Sequence, residues 1–210
     1  MTDKKQNILI AGANGTTGKI IVELLQASDR YRPIAMVRKE AQKEAFEKDG
    51  VAAVLADLEK DLSHAVTGVD KVIFAAGSKG KKVIAVDQEG AKNLTDAAKK
   101  AGVGKFVMLS SMGADNPSVS DDLEEYLKAK QNADNHLLNS GLEYSIVRPG
   151  GLTDKDGTGK IQLKEKLDKQ GSISRADVAK TLVEVLEDGV KQNQTFEILA
   201  GETPVEKAVH

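Results

Sequence analysis

The stretch Asn7-Ile8-Leu9-Ile10-Ala11-Gly12-Ala13-Asn14-Gly15-Thr16-Thr17-Gly18 decides the fold. Asn7–Ala11 closes in a short apolar run, as a strand buried on both faces requires. Thr16–Ser28 then places Ile20, Ile21, Leu24 and Leu25 on one face of a helix. Between them Gly12, Gly15 and Gly18 are spaced G-x-x-G-x-x-G, one residue wider than the G-x-G-x-x-G fingerprint. The physical demands are the same. One glycine permits a tight turn, another lets the backbone approach a pyrophosphate, and the third lets helix and strand pack closely. No Gly-Lys-Ser/Thr follows, which excludes a P-loop. A strand, a glycine turn and an amphipathic helix in that order predict a dinucleotide site. Its pyrophosphate faces the free N–H groups of the helix start, and Gly12, Asn14, Gly15, Thr16, Thr17 and Gly18 are the candidate contacts.

The alternation continues outward. Strands are predicted at Pro33–Arg38, Val51–Ala56, Lys71–Ala76, Lys105–Ser110, Leu142–Arg148 and Thr195–Leu199, and helices at 40–49, 61–67, 82–101, 121–140 and Ala176–Glu187. Strands alternating with helices predict an α/β fold, a doubly wound parallel sheet of Rossmann type with helices on both faces. Nothing resembling a linker or repeat divides the chain, so residues 1–210 are expected as one domain. The Gly- and Lys-rich stretch 151–173, with a weak strand at 160–163, is expected as a small C-terminal flap. Together with 201–210 it forms a reduced substrate-side region. Ser174-Arg175-Ala176-Asp177 reads as a helix capping box. The Lys79–Lys82 cluster reads as a solvated loop and 39–49 as a solvated helix face.

Composition narrows the function. The 210 residues carry 30 Lys and Arg against 32 Asp and Glu, a formal charge of −2. Phosphate backbones are bound by clustered cations, so a nucleic-acid partner is not expected. Cys is absent, which excludes disulfides and thiolate chemistry. The His residues at 64, 136 and 210 lack metal-ligand spacing, so no metal site is expected. The opening residues do not form a signal peptide, and no run approaches the roughly 18 apolar residues of a membrane span. A cytoplasmic protein with a small-molecule substrate and no membrane partner is expected.

Two further places bear on chemistry. A site preferring NAD carries an acid at the end of the second strand to hold the ribose 2′-hydroxyl. Here that strand ends Met36-Val37-Arg38-Lys39. Arg38 suits a 2′-phosphate and Lys39 adds charge, which favours NADP over NAD. In the 121–140 helix, Glu124, Glu125, Lys128, Gln131, Asn132, Asn135 and His136 share a polar arc. Leu123, Leu127, Ala133, Leu137 and Leu138 lie opposite. Tyr126 and Lys130, spaced i and i+4, fall on the apolar side. A buried ammonium needs a partner or a function. Two readings stand: a Lys130–Asp134 pair with Tyr126 as filler, or a phenol that exchanges a proton with the cation one turn away favouring phenolate.

The glycine loop, Tyr126-Leu-Lys-Ala-Lys130 and Arg148-Pro149-Gly150-Gly151 resemble the short-chain dehydrogenase/reductase superfamily, most closely its atypical, epimerase/dehydratase-like bacterial branch. Val86-Asp87-Gln88-Glu89-Gly90-Ala91-Lys92-Asn93-Leu94 is similar to the fourth-helix signature of extended members. The resemblance implies Tyr126 as catalytic acid/base and Lys130 as the residue that binds the nicotinamide ribose and favours the tyrosinate. It implies Ser111, in Leu109-Ser110-Ser111-Met112, as the residue holding a substrate oxygen. It further implies Asp57 and Leu58 near adenine, Ala75, Ala76 and Gly77 along the cofactor, and Pro149, Gly150, Gly151 and Leu152 at the carboxamide. The chain departs from the family pattern at Asp87, where the catalytic tetrad usually has Asn. It also departs in the small substrate-side region, which cannot enclose a nucleotide sugar as extended members do. The resemblance implies an NADP(H)-dependent oxidoreductase passing hydride to or from a small carbonyl, quinone-like or flavin-like molecule. A catalytically silent NADP(H)-sensing module with a regulatory protein partner, and a nucleotide-sugar epimerase/dehydratase, are the alternatives.

Overall fold

Apolar runs too short and too uniformly hydrophobic for surface helices become the inner strands of a sheet. The computed structural model describes residues 4–78 and 80–210, so Lys79 of the lysine cluster lies outside the described residues. β1 (Gln6–Ala11), β2 (Tyr31–Val37), β3 (Ala52–Leu55), β4 (Lys71–Phe74), β5 (Lys105–Leu109) and β6 (Tyr144–Pro149) run parallel. Further along come β7 (Gly151–Thr153), β8 (Lys160–Lys164), β9 (Ser172–Ser174), β10 (Gln194–Ala200) and β11 (Thr203–Pro204). The main sheet has the order β11-β8-β10-β6-β5-β4-β1-β2-β3. β10 is parallel to β6, whereas β8 is antiparallel to both β10 and β11. β7 and β9 form a separate two-stranded parallel sheet.

Strand order reverses between β1 and β4. In doubly wound sheets such a reversal opens a crevice at the carboxyl ends of the strands. One face of the sheet is covered by α1 (Thr16–Gln26), α5 (Arg175–Glu184) and α6 (Val205–Val209), through Ile21, Leu25, Val178, Leu182, Val205 and Val209. Phe46 of α2 (Glu40–Lys48) packs on the same side. The other face is covered by α3 (Ala91–Ala101) and α4 (Glu124–Leu138), through Leu94, Ala98, Ala133 and Leu137. The doubly wound architecture expected from the sequence is the one observed.

Several local expectations change. Where a helix is expected over 61–67, residues 63–68 form consecutive turns. Leu62, Ala65 and Val66 are buried at helical spacing, but the stretch is too short to offset helix nucleation and ends at Gly68 with φ +71°. The helix expected over 82–101 opens with a π-helical segment, Val83–Gly90, before α3 begins. A Cβ on Gly90 would lie 2.9 Å from the Leu58 Cβ, so that junction is tightly packed. Leu123, just before α4, and Leu138 at its end, expected on the apolar side, are exposed. Within the 151–173 stretch, residues 160–164 join the main sheet and 151–153 pair with 172–174. Residues 203–209 contribute β11 and α6, with Val205 and Val209 buried.

At the opposite, amino-terminal end of the strands, two lysines are buried side by side in register, Lys71 on β4 and Lys105 on β5. Lys71 Nζ donates to the Leu186 carbonyl (2.7 Å) and to Asp188 Oδ1 (2.6 Å). Lys105 Nζ donates to the Val190 (2.7 Å) and Glu187 (3.0 Å) carbonyls. The pair thus satisfies the carbonyls beyond the end of α5. Burial, reinforced by the Lys71 ammonium, lowers the Lys105 pKa to about 8 from 10.5. Between those values the folded protein binds fewer protons at Lys105 than the unfolded chain, so stability rises with pH across that window. Urea unfolding is expected to show this as a gain of about 1 kcal/mol per pH unit that Lys105→Met lacks.

Candidate functional site

The crevice is made by backbone. Gly12 leaves β1 with φ +88°, and a Cβ there would lie 2.6 Å from the Ala76 nitrogen and 2.7 Å from the Ala75 carbonyl oxygen. A Cβ on Gly18 would come within 2.1 Å of the Gly12 carbonyl oxygen, so α1 packs directly on the turn. α1 begins at Gly15 without a side-chain cap and without an acid in its first turn. Its first internal hydrogen bond joins Lys19 N–H to the Gly15 carbonyl (2.9 Å), which leaves the amides of Thr16, Thr17 and Gly18 without helical partners. Bare amides at the positive end of a helix dipole are matched to an anion.

The amides of Thr16 and Thr17 open into a cavity of about 650 Å³ that crosses the carboxyl ends of the strands. Gly12, Asn14, Gly15, Thr16 and Thr17 form its centre, with Ala75, Ala76 and Gly77 beside them. Arg38, Asp57 and Leu58 line one end, and Asp87, Tyr126, Lys130 and Leu152 also contribute to the walls. The sequence-predicted residues outside the wall have packing reasons. Gly18 is turned back onto Gly12, and Lys39 is exposed where α2 begins. Pro149 is buried and accepts the Met112 N–H (3.0 Å). Gly150 is wedged between Leu199 and the Gly171 carbonyl, and Gly151 N–H donates to that same carbonyl at 2.9 Å.

At the Tyr126 end, Lys130 is buried, and its Nζ lies 3.4 Å from Asp87 Oδ1 and 3.4 Å from the Leu109 carbonyl. The same ammonium stands 5.6 Å from the centre of the Tyr126 ring. Asp87 is also buried, and its Oδ2 accepts the Ser78 N–H (3.0 Å). The partner of Lys130 is therefore Asp87 of the π-helical segment and not Asp134. Asp134 is taken by Arg148, whose Nε and Nη2 both donate to Oδ2 (3.0 and 2.9 Å), and by the Ser110 hydroxyl (2.8 Å). Burial pushes the Asp134 carboxyl up, opposed by the Arg148 charge and these hydrogen bonds.

Of the two serines at the end of β5, Ser110 lines the cavity. Ser111 is half-buried, with its Oγ donating to the Met112 carbonyl at 3.2 Å. His136 binds Asp96 (2.7 Å) on the exposed side of α4. Ser174 caps α5 by accepting the Asp177 N–H (3.0 Å), as its spacing predicts. Sequence reasoning missed Gln42, Asp154 and Arg175, all on the cavity wall. Gln42 stands four residues past Arg38 and its Oε1 accepts the Arg38 N–H (3.3 Å). Arg175 immediately follows a cap, which puts it at a helix start on the same face of the sheet as α1.

A dinucleotide-binding Rossmann protein is the class that such a switch-point crevice defines. The chain belongs to the NAD(P)H-binding family, whose profile matches residues 12–189, and the cofactor it is built for is a nicotinamide dinucleotide. It is 40% identical over 210 residues to a protein of Bacillus subtilis (strain 168) named an uncharacterized sugar epimerase, covering 96% of this chain and 98% of that one. Sanguinarine reductase of Eschscholzia californica is 29% identical over 249 residues, covering 94% of this chain and 90% of that protein. The solved structure of a candidate NAD-dependent epimerase/dehydratase from Bacillus halodurans superposes with a TM-score of 0.91 at 38% identity, covering 97% and 98% of the two chains. The resemblance to atypical, epimerase/dehydratase-like short-chain reductases holds.

The Gly12 contact gives a direct test. Gly12→Ala drives a methyl group into the Ala75–Ala76 backbone from a φ that alanine avoids, so it is expected to destabilise the fold by about 2 kcal/mol or more. Urea unfolding would register the loss, and calorimetric titration with NADPH is expected to give no binding in the variant.

Proposed function

We propose that the protein is an NADP(H)-dependent oxidoreductase acting on a small carbonyl, quinone-like or flavin-like molecule. One observation carries this reading: a single cavity joins the uncapped start of α1 to Tyr126 and the buried Lys130. A bound nicotinamide supplies or takes up a hydride. The protein's own part is to position both reactants and to move a proton. Thr16 and Thr17 hold the diphosphate on their amides, and Arg38 takes the 2′-phosphate, with Asp57 and Leu58 on the adenine side. Tyr126 gives a proton to the reduced oxygen, or takes it in the reverse direction. Lys130, 5.6 Å from the centre of the Tyr126 ring, binds the nicotinamide ribose.

The serines divide the remaining work. Ser110 has its proton committed to Asp134 and offers lone pairs to the cavity. Among the described residues Ser111 Oγ makes one hydrogen bond, at 3.2 Å to the Met112 carbonyl, and in this reading it leaves that bond to turn to a substrate oxygen. The full 1–210 chain acts as one domain in this reading, with 151–173 and 201–210 on the substrate side.

Asp87 supports a second reading. A carboxylate 3.4 Å from Lys130 neutralises the ammonium that a tyrosine acid would use, as fits a module that binds NADP(H) and reports it to a protein partner. Turnover decides between them. Tyr126→Phe is expected to lower the rate of NADPH oxidation with a quinone panel about 10²–10⁴-fold while leaving NADPH affinity unchanged. Wild-type protein that binds NADPH but turns over no acceptor would favour the sensing module. Arg38→Ala is expected to weaken NADP⁺ binding about 10–100-fold and leave NAD⁺ binding unchanged, read by calorimetry.

A further inference from the structure

Asp154 and Arg175 stand on the cavity wall with no part in that chemistry. The small sheet brings them together. β7 and β9 pair in the register Leu152↔Ile173 and Thr153↔Ser174, so the next residue on each side, Asp154 and Arg175, meet beyond its end. Arg175 Nη1 donates to Asp154 Oδ1 at 2.8 Å. The two side chains differ in their surroundings: Asp154 is 79% exposed and Arg175 only 26%.

An ion pair with one partner in open water is weak, because solvent competes for the carboxylate. Among the described residues this single contact is the only hydrogen bond made by the guanidinium, whose five N–H groups are laid out for a bidentate oxyanion. Asp154 is thus a loosely held counter-charge, and exchanging it for a better-placed anion costs little.

The arginine itself is firmly seated. It opens α5 directly after the Ser174 cap, and the turn beyond the other end of α5 is gripped by Lys71 and Lys105. α5 and α4 cover opposite faces of the sheet, and Arg175, Leu152 and Tyr126 line the same cavity.

We propose that Arg175 is a specificity-determining residue that binds an oxyanion, a carboxylate or phosphate carried by the acceptor, by displacing Asp154. This rests on the oxidoreductase reading above for the identity of the acceptor. The diphosphate of the cofactor is the other source of the same chemistry. The bare amides of Thr16 and Thr17 serve it, which leaves Arg175 for the second ligand.

The test compares two probes of one shape, anthraquinone-2-carboxylate and anthraquinone-2-carboxamide, titrated into the full chain with and without NADPH. Wild type is expected to bind the carboxylate about tenfold more tightly than the carboxamide. Arg175→Gln is expected to bring the two within about twofold and to leave NADPH affinity unchanged. Asp154→Asn is expected to strengthen carboxylate binding about threefold, since it removes the competitor, and it guards against a fold defect in the arginine variant. An unchanged probe ratio in Arg175→Gln overturns the proposal. So does weaker NADPH binding with an intact ratio, which would assign Arg175 to the diphosphate. Failure of wild type to bind NADPH would sink the oxidoreductase reading alone, because the probe preference is also measured without it.

Discussion

The close approach on which the rest of the molecule depends is that of Gly12 to the Ala75–Ala76 backbone. It is possible because residue 12 has no side chain, and it occurs where the sheet reverses its strand order. From that point the chain directs α1 across one face with its first amides bare, while the ends of β2, β4 and β5 open toward the same side. Arg38, Asp57, Ala75 and Ser110 all follow the carboxyl ends of strands, which is why residues so distant in sequence share one cavity. A side chain at residue 12 would separate β1 from β4, and the floor of the cavity would be lost with that pairing.

The buried charges show how a parallel sheet distributes its polar residues. Lys130 and Asp134 are one helical turn apart, yet each finds its partner elsewhere, Lys130 in Asp87 and Asp134 in Arg148. Each pairing ties α4 to a different element, Asp87 to the π-helical segment and Arg148 to β6. Removing a buried ion from either pair would strand the other, at a cost far above that of an exposed bridge. Arg148 also approaches Asp115, which binds Lys166, which in turn lies 3.5 Å from Glu197 Oε1. A line of alternating charge thereby runs from the cavity wall at Ser110 to the antiparallel end of the sheet.

Much of this was legible in the residues. The strand–glycine–helix order of 7–28 fixes the first unit, and the apolar runs at 71–76, 105–110 and 142–148 repeat it, because strands buried on both faces leave little choice of side chain. The glycine contacts and the cap at Ser174 were likewise readable, since each depends on local geometry. What escaped was long-range. The i+4 spacing suggested Lys130–Asp134, but spacing along one helix says nothing of a carboxylate arriving from another element. Asp154 and Arg175 are joined by a register between two three-residue strands, too short to leave a periodic signal. Leu62, Ala65 and Val66 imitated a helix because burial at that spacing is also satisfied by successive turns.

The small β7–β9 sheet has a consequence for how such proteins diversify. It is hydrogen-bonded apart from the main sheet, and of the residues between β7 and β9 Asp154 alone lines the cavity. Insertions at 154–158 or 165–171 would reshape the entrance while leaving the coenzyme seat untouched. Descendants of one ancestor are thus free to exchange the molecules they admit without relearning how to hold the nucleotide.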